Sequence, residues 1–180
     1  MDTNTLLNRY AAGERDFSGV ILHQANLADA DLRGANFGGA DLSGVNLSHA
    51  NLAGCVLNRA NLTNAELSGA NLNHANMSDT NLIGAQLIRA NLEAAHLIRA
   101  DLRSASLILA NLTRSNLSEA ELSGTDFSGA ILSYANLTAT NFNEAEIIGA
   151  DLTGVVISQM EMSSERTHPG LSHKWVTWAG

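Results

Sequence analysis

Hydrophobic residues recur at every fifth position of this chain. From Phe17 to Ile157 each such position is Leu, Phe, Ile or Met, 29 in succession without a slip. Two residues before each of them, from Val20 to Val155, stands a small side chain: Ala in 20 of 28 cases, with three valines, Cys55, Thr80, Ser115, Thr125 and Thr140 making up the rest. The residue between the two is usually Asn or Asp, and the two positions after the large residue are mostly polar or Gly. Internal repetition at a fixed period decides the fold before any other signal does.

A period of five fits neither common element. On an α-helix, five steps of about 100° leave successive leucines about 140° apart, so they spiral around the whole surface. On a straight strand an odd step sends successive leucines to opposite faces. One core results only if the chain turns a corner once per pentad. The small residue and the Leu, two apart, then point inward together, and the other positions face out. Gly stands two residues after the large one at 19, 34, 39, 44, 54, 69, 84, 124, 129, 149 and 154, where a type II turn needs positive φ. Period alone leaves three-sided and four-sided coils open.

The pentads Ala35-Asn36-Phe37-Gly38-Gly39 and Ala150-Asp151-Leu152-Thr153-Gly154 resemble the A(D/N)LXX motif of the pentapeptide-repeat family, and residues 17–157 follow it throughout. The resemblance implies an all-β solenoid: a right-handed, quadrilateral β-helix with about 20 residues per coil, hence about seven coils. At roughly 4.8 Å per coil the rod is about 34 Å long. Charge agrees with four sides, because at separation 20 Arg59, Asp79, Arg99 and Glu119 alternate in sign along one column. Opposite charges on neighbouring strands are mutually favourable. The same separation aligns Asn51, Asn71, Asn91 and Asn111, which predicts an amide ladder.

Residues 1–16 break the period. Leu6, Leu7, Tyr10 and Ala11 form a helical stripe, with Asp2 or Thr3 placed to start the helix and Gly13 to end it. A short α-helical cap over the open first coil is expected, since solenoid ends need covering. The stretch Leu7–Phe17 is also similar to the lead-in of many cyanobacterial family members. Residues 158–180 leave the pattern again and form a C-terminal tail or cap. They carry the one Pro of the chain and both tryptophans, so Trp175, Val176 and Trp178 are the candidate contacts for capping the last coil or joining a second subunit. Self-capping is the favoured alternative.

Composition and charge narrow the function. With 18 acidic and 10 basic residues the net charge is −8, which disfavours direct nucleic-acid binding through phosphates. Ser115–Ile157 holds six carboxylates and no Lys or Arg. The single Cys55 sits at a small inward position, where a buried inert thiol is expected. The first 16 residues lack the apolar stretch of a signal peptide, and no run is long enough to span a membrane. A cytoplasmic location is the resulting expectation.

No catalytic constellation emerges. His23, His49, His74 and His96 map to four different sides of the coil, so no three converge on a metal. The serines and threonines sit at solvent corners without a matched His and acid, and no cofactor, metal or enzymatic activity is expected. The outward anomaly is apolar: Ile88 and Ile108 stack on one face, with Leu109 beside them and Arg89 below it. This is a candidate protein contact, because a contiguous apolar patch marks such a site. Two functions follow. One is a non-catalytic interaction scaffold for an unknown protein partner. The other is carried by the resemblance to quinolone-resistance and toxin-immunity members: a DNA-mimicking modulator of DNA gyrase, acting as a homodimer joined at its C-terminal ends. The midway arginines Arg59, Arg89, Arg99, Arg103 and Arg114 speak against the second.

Overall fold

A computed structural model describes residues 1–141 and 143–157, together with the backbone of 176–178. From Asp16 onward the chain winds into a coil that takes 20 residues per turn. Asp16 bridges Asn36, Ile21 bridges Asp41, Asn26 bridges Asn46 and Asp31 bridges Asn51, and these four parallel columns continue to the Asn136–Val156 bridge. Each pentad is therefore one side of a four-sided coil.

The backbone of one pentad shows why the motif has the residues it has. Leu47 N–H donates to Glu66 O at 2.7 Å and His49 N–H to Ser68 O at 2.9 Å, both in the next coil. Ala50 N–H closes the corner on Leu47 O at 3.0 Å, and Asn46 N–H reaches back to Ala25 O at 2.9 Å. The fifth donor, Ser48 N–H, turns to the pentad's own Asn46 Oδ1 at 3.0 Å. An unpaired peptide N–H is costly, and Asn or Asp is the residue whose side chain reaches the N–H two positions on. The same contact recurs at Asn36, Asp41, Asn61, Asn91, Asn111, Asp126 and Asn136. Because a corner interrupts the ladder every five residues, the coil is a stack of single-residue bridges. Among the described residues only β1 (Val155–Ile157) and β2 (Val176–Trp178) are continuous strands.

Every fifth residue from Gly19 to Gly154 has positive φ. Seventeen of these corners are not glycine, with φ between 54° and 61°, a region that costs an L-residue about 1–2 kcal/mol. The corner hydrogen bond and backbone pairing with neighbouring coils hold most of them there.

Inside, the large residues form one dry column in which Leu32, Leu52, Leu72, Leu92 and Leu112 are fully or almost fully buried. Phe17 and Phe37, one coil apart, stack with centroids 5.6 Å apart at 22°. Where the small position is polar, its hydroxyl is satisfied by a leucine carbonyl: Thr80 Oγ1 donates to Leu57 O and Thr125 Oγ1 to Leu102 O, both at 2.8 Å. Cys55 Sγ does likewise toward Leu32 O at 3.0 Å. A buried polar group with a partner costs little.

Helix α1 (Thr3–Ala11) opens on Asp2, whose Oδ1 accepts from Thr5 N–H at 2.9 Å, and ends before Gly13 at φ 97°. Its Leu6 is buried in the coil's own core cluster, with Leu7 and Tyr10 packed against that cluster. First-coil carbonyls that lack a preceding coil find donors here. The Met1 amino group donates to Ile21 O at 3.2 Å, and Tyr10 O–H to Arg33 O at 3.0 Å. Arg9 pairs with Glu14 and lies over the Phe17 ring.

Candidate interaction surface

The coil leaves three outward positions per pentad, and residues 20 apart form columns along the rod. Stacked polar side chains bond along these columns. Asn71 Nδ2 donates to Asn51 Oδ1 at 3.2 Å, Asn91 to Asn71 at 3.4 Å and Asn111 to Asn91 at 3.3 Å, which is the expected amide ladder. In the charged column Arg99 holds Asp79 with two hydrogen bonds of 2.8 and 3.0 Å. Arg59 acts on Asp79, and Glu119 on Arg99, through charge alone.

Ile88 and Ile108 occupy successive coils of one column, since Gln86 bridges Ser106 and Arg89 N–H donates to Ile108 O at 2.9 Å. Both are half-buried, Leu109 is 48% exposed, and Arg89 below it is exposed. Leu109 leans toward the C-terminal end of the rod, where a Cβ on Gly129 would fall 2.7 Å from its Cδ2. The candidate contact residues thus share one face and its corner. The apolar surface reaches further than the sequence reading placed it: Ile131 is 43%, Tyr134 60% and Ile148 68% exposed. Ile148 was findable, because a step of 40 from Ile108 along the same column lands on it. Ile131 stands where the motif ordinarily has Asn or Asp, and that substitution was its signal.

Electrostatics divide the rod. Arg103 holds Asp101, and Arg33 holds Asp31, as ion pairs within one pentad, and each arginine's hydrogen bonds keep its carboxylate below the usual range. Arg89 and Arg114 make no ion pair among the described residues. Beyond Arg114, exposed Glu121, Glu144, Glu146 and Asp151 carry charge of one sign. Among the described residues no group of three or more His, Cys, Asp or Glu is arranged to hold a metal ion. Burial pushes the Cys55 thiol up to about 11. No helix among the described residues is long and apolar enough to cross a membrane.

At the C-terminal end β2 pairs in parallel with β1, in the register Val155–Val176, Val156–Thr177 and Ile157–Trp178. The backbone at Val176 and Trp178 therefore continues the ladder past the last coil. Trp175 lies outside the described residues.

A four-sided coil filled by its leucines, with the variable positions of the motif at its corners, defines a solenoid that presents columns of residues on its outside. The chain belongs to the pentapeptide-repeat family: the family model matches residues 16–48, 40–79, 80–119 and 120–159. Among solved structures, it is similar to a trypsin-treated form of QnrB1, a plasmid-mediated fluoroquinolone resistance protein, at 19% identity and a TM-score of 0.66. That match covers 89% of this chain and 90% of that one, a likeness of fold. It also matches HetL, a pentapeptide repeat protein involved in heterocyst differentiation regulation from the cyanobacterium Nostoc, at 28% identity and a TM-score of 0.38, over 87% and 97% of the two chains. No curated protein matches the chain.

Proposed function

We propose that this protein is a non-catalytic, cytoplasmic scaffold that binds a protein partner through the face bearing Ile88, Ile108 and Leu109. A right-handed winding and a capping role for α1 belong to the same reading. The observation that carries it is the apolar column itself: half-buried isoleucines on consecutive coils beside an exposed Leu, rimmed by Arg89. Side chains fixed by a rigid ladder lose little entropy on docking, which favours recognition by a preformed surface. The test compares wild type with an Ile88→Asp/Ile108→Asp variant in pull-downs, after circular dichroism has shown the fold intact. Loss of a partner that wild type retains supports the reading, whereas an unchanged set of partners overturns it.

The acidic stretch after Arg114 favours a second reading, modulation of DNA gyrase by a C-terminally joined dimer. QnrB1, which shares this fold, is described as a fluoroquinolone resistance protein. A supercoiling assay with purified gyrase separates the two readings: no effect at micromolar protein excludes the second.

A further inference from the structure

We infer that two copies of this chain pair side by side and antiparallel, through the corner that carries Arg89, Leu109, Gly129 and Gly149. The inference rests on the reading of this corner as a contact surface and names its occupant as a second copy. The four residues form one column: Arg89, Leu109 and Gly129 donate their N–H groups to Ile108, Ser128 and Ile148 of the following coils at 2.8–2.9 Å. Along it the character changes from cationic through apolar to bare backbone. Among the described residues nothing lies within 4 Å of the Cβ position of Gly149, and with no side chain of its own this corner forms a notch between its flanking sides. Exposed Glu146 and Asp151 flank that notch on the two adjoining sides.

A two-fold axis crossing the corner between Leu109 and Gly129 matches these features in pairs. Coils repeat at about 4.8 Å, so rows equidistant from the axis meet. Both Leu109 side chains, which lean toward Gly129, converge on the axis. Arg89 enters the partner's Gly149 notch, between the carboxylates of the partner's Glu146 and the partner's Asp151. Ile88 meets the partner's Ile148. A two-fold contact must be self-complementary in this way, and complementary charge fixes its register. Centring the axis on Leu109 itself would instead set Glu66 against the partner's Glu146, like against like. This contact runs along the side of the rod, unlike end-joined pairing.

Sedimentation equilibrium on the full chain tests it. Wild type is expected to dimerise below about 100 μM, Arg89→Glu to weaken the dimer by about tenfold or more, and Arg89→Glu combined with Glu146→Arg to recover most of that loss. Leu109→Cys, in a Cys55→Ser background, is expected to give a disulfide-linked dimer on mild oxidation. A wild type that stays monomeric at that concentration overturns the inference, as does a dimer indifferent to Arg89→Glu. The charge variants leave Ile88 and Ile108 in place, so failure here leaves the scaffold reading to be decided by its own test.

Discussion

Arg99 grips Asp79 across one coil of the solenoid, with both carboxylate oxygens engaged, at 2.8 and 3.0 Å. The hydrogen bonds from Arg99, and then its charge, lower the Asp79 pKa below its ordinary value of 3.8. The sign follows from linkage. A carboxyl with a depressed folded pKa contributes stability that is present above its unfolded pKa and lost as pH falls through the folded value. Arg99 is exposed and Asp79 partly so, and the contribution is therefore small and screened by salt. Carboxyl-carbon NMR titration is expected to place Asp79 below 3.8, and Arg99→Gln to move its midpoint upward.

The amide ladder makes a larger prediction. Asn91 donates to Asn71, accepts from Asn111 and caps Glu93 N–H at 3.1 Å. Asn91→Ala removes all three contacts and is expected to cost about 1–3 kcal/mol in chemical denaturation, from net hydrogen-bond values and the loss of the cap. Asn91→Asp keeps the acceptor and loses only the donor to Asn71. It is expected to cost less than Asn91→Ala.

Much of this geometry was legible in the sequence. The five-residue period demands a corner per pentad, and the alternating charges at separation 20 pointed to four sides before the bridges showed them. Why Asn or Asp usually precedes the Leu was not legible. That role is a hydrogen bond to a peptide N–H which only the folded corner leaves unpaired. The corner conformation was read from glycine, yet Arg59, Leu109 and Ala94 adopt it too, held by backbone pairing that composition does not display. The apolar surface was seen only in part. Ile88 and Ile108 stood out because they are one coil apart on one face, whereas Ile148 lies two coils past Ile108 with Ser128 between them.

Corner strain is open to direct measurement. Ala94 has φ 54°, where an L-residue is disfavoured by about 1–2 kcal/mol. Ala94→Gly relieves that strain, and the greater freedom of glycine in the unfolded chain offsets part of the gain. A net stabilisation of up to about 1 kcal/mol is expected from denaturant midpoints. Ala94→Val is expected to destabilise, because a β-branched side chain fits this region least well.

Cys55 reports on the integrity of the core. It is buried, its Sγ bonds to Leu32 O, and burial raises its pKa to about 11. The thiolate is the reactive species, so modification by a thiol reagent at neutral pH is expected only as fast as the coil opens around residue 55. Labelling rates that rise with denaturant in step with unfolding would show this, and rapid labelling of the native protein would contradict it.

In the core, Leu92 is fully buried, and Leu92→Ala is expected to cost about 2–5 kcal/mol through lost burial and the cavity left behind. Unchanged thermal stability would mean that Leu92 does not point inward.

The central claim is that side chains 20 residues apart lie on one straight column of a four-sided rod, which is what makes a contact surface out of Ile88 and Ile108. Spin labels at Ser48 and Ser128, both on that column, test it by pulsed electron–electron distance measurement in a Cys55→Ser background. Four coils at about 4.8 Å place the two backbone sites about 19 Å apart. A narrow distribution near that value, broadened only by the label linkers, is the expected result. A mean beyond about 30 Å would mean that the two serines do not share a column.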